Sequence, residues 1–293
     1  MKASAQPLVI AHRGASGARP EHAWPAYALA LEQGADVLEP DLVMSADGVL
    51  VVRHDLGLRR STDVAARAEA CLGRTLAADE DPQVLDWPWE QLQRLGTIQP
   101  MAQRLQTLNG LYPILSFEML LERAAAEARR RERRIVLYPE IKHPQAHLAR
   151  GLDPVQALVA LWERRRDLWT ELDLWVQCFD FGTLQRLRRL HPFACAWLCE
   201  EWPAEPAALL PTIQALAPCK QLLLDDLRLG ARRVSAAQAC GLAVHAWTFR
   251  DDVADAQGRS GAALLRLAYG IGVDAVFTDH PATAIAIREE PRT

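Results

Sequence analysis

Along the chain, short apolar runs rich in β-branched residues alternate with longer segments whose apolar residues recur every three or four positions. The first kind reads as buried strand and the second as amphipathic helix, and their alternation predicts parallel strands covered by helices. Eight strands are expected, at residues 8–11, 37–42, 135–138, 174–178, 193–198, 221–224, 243–247 and 275–278. Helical spacing marks 23–33, 154–165, 181–190, 207–216, 234–240 and 261–269 between most of them. Gly34, Gly241 and Gly272 each fall just before a strand, where a helix commonly stops at a residue able to take positive φ. Eight strands with helices between them fit a closed (β/α)8 TIM barrel of the α/β class better than an open doubly wound sheet.

One region breaks the rhythm. Between His54 and about Ser116 the chain is polar, contains Pro and Trp, and lacks strong periodicity, notably over 79–88 and 97–113. It is too long for an ordinary strand-to-helix connection. Residues 56–115 therefore read as an insertion after the second strand, lying over the barrel mouth within a single domain of residues 1–293. Trp87, Trp89, Leu92 and Leu95 give it apolar anchors that disordered segments usually lack. The tail from Arg288 reads as frayed surface.

Composition narrows the possibilities. Half of the 293 residues are apolar, enough for one large core, and barrels of this kind run to roughly 250 residues before insertions. A net charge of −4 offers no global field for nucleic acid or an anionic membrane surface, so no nucleic-acid partner is expected. No apolar run approaches the ~18 residues of a spanning helix, which predicts no stable membrane insertion. The first strand begins too early to leave room for a secretory leader, so the sequence as it stands reads as cytoplasmic, or as periplasmic if its start is truncated or mis-assigned. Nothing in the sequence sets an oligomeric state. The six scattered cysteines form no CxxC pair and read as buried thiols or small core residues. Positive charge is almost wholly arginine, with lysine only at Lys2, Lys142 and Lys220. The clusters at 129–134 and 164–166 read as solvated helix ends, where cations complement the dipole.

Candidate chemistry collects at strand ends. The first strand runs into His12-Arg13-Gly14, placing a titratable ring and a fixed cation where barrel enzymes work. Alone this is weak, because a strand-end histidine bonded to a backbone carbonyl is commoner. Glu39 and Asp41, two apart on the second strand, share a face. Like charges that close repel unless a cation separates them, which suggests a hard divalent ion with oxygen ligands. The alternative is a pair solvated at the rim or bonded to arginines. Glu140 adds a third carboxylate and Lys142, on the same face, a compact cation suited to a phosphoryl oxygen. Asp47-Gly48 predicts a tight turn that returns the chain so that His54 ends near the acids, making His12 and His54 candidates for general acid and base.

The blocks HRGASG with PEH, GADVLEPDLVMSADGVLVVRHD, YPEIKHP, QCFD, HAWTF and GVDAVFTDHP resemble, in order and spacing, the glycerophosphodiester phosphodiesterase family, and most of all its bacterial periplasmic-type branch. The likeness runs from Leu8 to about Ala282. It implies a (β/α)8 fold, one bound Ca²⁺ or Mg²⁺, and cleavage of a glycerophosphodiester to sn-glycerol 3-phosphate and an alcohol. By position it implies that Glu39, Asp41 and Glu140 hold the metal and that His12 and His54 are the catalytic acid–base pair. It further implies that Arg13 and Lys142 contact phosphate, that Phe179 and Trp247 wall the glycerol, and that the substrate's own hydroxyl attacks phosphorus through a transient cyclic phosphate. Ala23 departs from the family, which commonly has threonine or serine there, and the branch with this insertion usually carries an export signal. The competing readings are a phospholipase D- or C-like enzyme with an apolar rim from Trp87, Trp89 and Leu92, and a binding module that has lost the chemistry.

Overall fold

The computed structural model describes residues 6–291. Its strands are β1 (Leu8–His12), β2 (Val37–Glu39), β3 (Asp41–Met44), β4 (Leu50–Val52), β5 (Ile135–Leu137), β6 (Glu140–Ile141), β7 (Leu172–Cys178), β8 (Ala194–Cys199), β9 (Ala215–Pro218), β10 (Ala243–Phe249) and β11 (Ala275–Thr278). Two proline residues divide what are physically single staves. Pro40 separates β2 from β3 and Pro139 separates β5 from β6, since a proline cannot donate to the ladder. The ladder nevertheless runs past both: the N–H groups of Tyr138, Glu140 and Lys142 donate to the carbonyls of Leu38, Pro40 and Leu42 at 2.8, 2.8 and 3.0 Å. Counted this way, the staves number eight. All are parallel, and β1 pairs with both β2 and β11, closing the sheet into a barrel. β4 folds back antiparallel on β3 through Asp47 and Gly48, whose φ of 85° suits glycine.

Side chains alternate along a strand, and that alternation sets the layers. Ile10, Val37, Tyr138, Trp175, Ala275 and Phe277 point inward and fill the lower barrel. Two residues further on, the same inward columns become His12, Glu39, Glu140, Gln177 and Asp279. An apolar plug thus sits beneath a polar mouth at the C-terminal ends of the staves, where barrel active sites lie. The outward faces carry a second, larger core against the surrounding helices.

Side-chain caps explain five of the helix starts. Ser116, Asp153, Asp180, Asp226 and Ser260 accept from backbone N–H groups in the first turns of Phe117–Arg130, Pro154–Arg164, Phe181–Leu190, Leu227–Ala239 and Gly261–Gly270. Ala23, standing where a hydroxyl is usual, gives Trp24–Glu32 no such bond. Gly34, Gly241 and Gly272 all take the positive φ expected of them.

Four expectations fail. The sixth strand is Ala215–Pro218, not 221–224, which forms the short helix Gln221–Leu224. A four-residue apolar run carries no period to separate helix from strand, and the alanine-rich ALAP was absorbed into a helical pattern at 207–216. Only Pro206–Leu209 there is helical, as a 3₁₀ turn, and the following helix begins at Leu227, ahead of the expected 234. Arg288 is not frayed: it ends the helix Pro281–Arg288, donates to the carbonyl of Pro7 and pairs with Asp36. Residues 292–293 of that tail lie outside the described residues.

Residues 56–115 are more ordered than their weak periodicity suggests. They contain the helix Val64–Leu72, a 3₁₀ turn Val84–Asp86 and the short helix Trp89–Leu92. Leu58, Val64, Leu92, Leu95 and Ile114 pack with Val43 and Val51 of the hairpin, and Trp87 and Trp89 lie against that cluster. The arginine-rich segments are helix ends as expected, with Arg130 and Arg131 on Glu127, and Arg165 on Glu118, Glu122 and Asp167. The six cysteines are free, four of them buried. No helix among the described residues is long and apolar enough to cross a membrane.

Gly230 lies inside Leu227–Ala239, where helix propensity alone favours alanine by about 1 kcal/mol. A Cβ at that position, however, would fall 1.9 Å from the carbonyl oxygen of Leu223. Gly230→Ala is therefore expected to destabilise the fold by about 1–3 kcal/mol, as overpacking does, measured by denaturant unfolding. A more stable variant would contradict this packing.

Candidate active site

Glu39 and Asp41 leave the second stave on either side of Pro40, and Glu140 leaves the third. β3 and β6 pair with Asp41 opposite Glu140, bringing three carboxylates to one level of the mouth. One oxygen from each lies within 4.8 Å of the others, and all three residues are buried. Three acids this close need positive charge. Arg13 Nε lies 2.9 Å from Asp41 Oδ2, and Lys142 Nζ lies 2.8 Å from Glu140 Oε1. Gln177 Nε2 donates to Glu39 Oε1 at 2.9 Å.

The compensation is unequal, and the acids separate accordingly. Burial, then repulsion by Asp41 and Glu140, raises the Glu39 carboxyl well above its usual range. Burial also pushes Glu140 up to about 8, with Lys142 opposing and Asp41 adding to the rise. For Asp41, burial is outweighed by Arg13, Lys142 and the His22 hydrogen bond, which hold it well below the usual carboxylate range. Asp41 Oδ1 is buried with no hydrogen-bond partner. A charged oxygen without a donor, beside two other carboxylates, is what a cation ligand set looks like before the cation is counted. The residues fit one hard divalent ion.

His12 ends β1, and its Nδ1 lies 2.6 Å from Asp279 Oδ1 beyond β11. Asp279 is held well below the usual carboxylate range because His12, Arg250 and Arg104 overcome its burial. An ionised carboxylate only accepts, so Nδ1 carries the hydrogen and Nε2 keeps its lone pair. Burial, then Arg13, lowers His12 to about 4 against the pull of Asp279, so the ring is neutral at pH 7. His54 follows β4, and its Nδ1 lies 2.5 Å from Asp55 Oδ1. Both histidines line a cavity of about 320 Å³ with Arg13, Glu39, Glu140, Lys142, Phe179 and Trp247. Asp41 sits just behind Arg13 and Glu140. The rings of Phe179 and Trp247 meet edge to face, centroids 5.6 Å apart.

Thus the residues expected as metal ligands, acid–base pair, phosphate contacts and glycerol wall meet at this mouth, whereas Trp87, Trp89 and Leu92 pack on the cluster formed by residues 56–115. Several others there were not singled out. His22 bridges Asp41 Oδ2 at 3.0 Å and the Tyr27 hydroxyl at 2.9 Å. Glu21 holds Arg13 at 2.9 Å. Both Arg13 and His22 adopt positive φ, 59° and 63°, an uncommon conformation for residues with a Cβ. The Arg13 N–H donates to the Glu39 carbonyl and to Glu39 Oε2, which fixes that turn. Gln177, Asp279, Lys220 and Arg250 complete the surroundings. Gln177 could have been found two residues before Phe179 on one strand face, and Asp279 directly after the last strand. Arg104, deep in aperiodic sequence, carried no signal.

A parallel eight-stave barrel with an acidic, histidine-flanked mouth defines the class of protein. The chain belongs to the Glycerophosphoryl diester phosphodiesterase family, whose model matches residues 12–283. It is 34% identical over 197 residues to a glycerophosphodiester phosphodiesterase of Haemophilus influenzae, covering 62% of this chain and 52% of that protein. It is 38% identical over 146 residues to one of Arabidopsis thaliana, covering 48% of this chain and 38% of that one. The matched segments thus span only about half of the one relative's length and 38% of the other's. Among solved structures, a glycerophosphoryl diester phosphodiesterase from Silicibacter pomeroyi superposes with a TM-score of 0.74 at 22% identity, covering 97% of this chain and 94% of that one. A phosphodiesterase from Oleispira antarctica, solved with the product sn-glycerol-3-phosphate, gives 0.72 at 22% identity, covering 96% of each chain. Both likenesses establish the shared barrel fold.

The raised Glu140 carboxyl carries a sign that can be checked. A group whose folded pKa exceeds its unfolded value stabilises below the unfolded value, and that contribution is lost as pH rises through the folded one. In chelator, the protein is expected to lose stability between about pH 4.5 and about pH 8, and Glu140→Gln to remove part of that slope. Thermal unfolding across this range decides it; identical slopes would contradict the assignment.

Proposed function

We propose that this chain hydrolyses glycerophosphodiesters to sn-glycerol 3-phosphate and an alcohol, using one divalent cation and two histidines. The observation that carries the reading is the meeting of Glu39, Asp41 and Glu140 within 4.8 Å beside a cavity lined by His12 and His54. Glu39, Asp41 and Glu140 would hold the ion, Ca²⁺ or Mg²⁺, through oxygen donors. When bound, that ion supplies Lewis-acid polarisation of a phosphoryl oxygen. The barrel and residues 56–115 are read as one domain serving this site.

The protein's own groups supply the rest. Arg13 and Lys142 offset the diester's negative charge, which otherwise repels a nucleophile. Phe179 and Trp247 wall the glycerol. His12, neutral with its hydrogen on Nδ1, presents Nε2 as the base that takes the proton from the attacking hydroxyl, whether water or the substrate's own glycerol hydroxyl. As the new P–O bond forms, the bond to the departing alcohol breaks; where the glycerol hydroxyl attacks, water then adds to the cyclic phosphate and one ring P–O bond breaks to give sn-glycerol 3-phosphate. His54, less buried and beside the Asp55 carboxylate, is the group that protonates the leaving oxygen.

The lipid-enzyme reading draws less support. It asks Trp87, Trp89 and Leu92 to form an apolar rim, but Leu92 is buried and both tryptophans pack on the insertion's own core. A headgroup panel including glycerophosphocholine and lysophosphatidylcholine separates the two.

His12→Ala and His54→Ala are each expected to lower turnover by about 10²–10⁴, with the fold retained. Glycerol 3-phosphate release from the diester panel, with and without chelator, checks this; wild-type turnover in either variant would overturn the assignment. Ion binding is expected to raise stability by about 2.7 kcal/mol at one hundred times its dissociation constant, and Glu140→Gln to abolish that gain in thermal unfolding.

A further inference from the structure

Arg104 comes from the insertion, yet its side chain is 4% exposed and reaches Asp252 and Asp279 beside the barrel mouth. Its Nε and Nη2 grip Asp252 at 2.6 and 3.0 Å, in the two-pronged geometry that suits guanidinium and carboxylate. Nη2 also donates to Asp279 Oδ2 at 2.7 Å. The other oxygen of Asp279 is the one that takes the His12 Nδ1 hydrogen. Insertion and imidazole are therefore joined by one buried carboxylate.

A second grip acts on the backbone. Arg104 Nη1 donates to the carbonyl of Ser16 at 3.2 Å, and Gln99, also from the insertion, donates to the carbonyls of Ser16 and Arg19 at 3.0 and 3.2 Å. The Ser16 hydroxyl in turn donates to the His12 carbonyl at 2.9 Å. Side chain and main chain of His12 are both tied, at one remove, to residues 99–104.

We propose that Arg104 is a positioning residue for the hydrolysis proposed above: it anchors Asp279, which aims the His12 ring, so the insertion completes the catalytic machinery and does more than cover it. The charge balance makes this specific. Asp279 and Asp252 face Arg104 and Arg250, two acids against two cations, with Arg250 Nε on the same Asp279 oxygen at 2.8 Å. Without Arg104, Asp279 Oδ2 keeps only Arg250, which reaches it from the end of β10, and the carboxylate loses the second grip that sets the angle at which it meets His12 Nδ1. Lysine at this position offers one point charge and cannot hold both acids in a fixed plane.

The test compares Arg104→Met, Arg104→Lys, Asp279→Asn and the Arg104→Met/Asp279→Asn pair, and follows the His12 Nδ1 proton by NMR. The inference predicts a fall in kcat of about 10- to 100-fold for Arg104→Met, as for other partners that orient a reacting ligand, with KM changed less than about threefold. Arg104→Lys should recover part of the loss. The double variant should be no slower than Asp279→Asn, because both changes act on one chain of contacts. The downfield Nδ1 proton expected in the wild type should weaken or shift in Arg104→Met. Wild-type kcat in Arg104→Met, a fully additive double variant, or an unmoved Nδ1 proton would each overturn the inference. If Arg104→Met does not fold, Arg104→Lys and its NMR signal decide the matter alone. The inference rests on the proposed hydrolysis, but a wild-type enzyme that cleaves no glycerophosphodiester defeats that reading, while the NMR arm still judges the Arg104–Asp279–His12 linkage.

Discussion

Three carboxylates buried at one level of a barrel repel one another, and the mouth of this protein is organised around that repulsion. Arg13 and Lys142 answer part of it, leaving Asp41 ionised and Glu39 and Glu140 raised. The unusual backbone at Arg13 and His22 follows from the same constraint, since both side chains must turn back onto Asp41. A structure that kept these acids merely for stability would do better to replace them with apolar residues. A divalent ion held by the three carboxylates would resolve the conflict directly.

Much of this was legible because strands have a period of two. Glu39 and Asp41 share a face whatever else is true of the fold, and so do Glu140 and Lys142. That the two pairs meet depends on β3 pairing with β6, which no local pattern encodes; barrel closure supplies it. Pro40, between Glu39 and Asp41, and Pro139, just before Glu140, are tolerated in the staves because the carbonyl of Pro40 still accepts from Glu140 and that of Pro139 from Gln177. The sixth stave was misread for the opposite reason. Ala215–Pro218 is short and weakly apolar, while the neighbouring Gln221–Leu224 has the composition of a strand and is helical through its contact with Leu227–Ala239.

The insertion marks the limit of local reading. Its apolar anchors were visible as Trp87, Trp89, Leu92 and Leu95, but its helices were not, because each is short and the segment packs on Val43 and Val51 of the hairpin. Arg104 had no legible role at all. Its partners Asp252 and Asp279 lie 148 and 175 residues away, and only the folded barrel brings them together. The acids, the histidines and Asp279 could be inferred from where strands end; Arg104 could not.

The proposed site holds one cation among Glu39, Asp41 and Glu140. Anomalous diffraction from crystals grown with Mn²⁺ and sn-glycerol 3-phosphate tests it most directly. The account predicts a single strong peak within about 2.0–2.6 Å of an oxygen from each residue, with a phosphate oxygen completing the shell. A peak elsewhere, or none in a crystal that holds the phosphate, would contradict it.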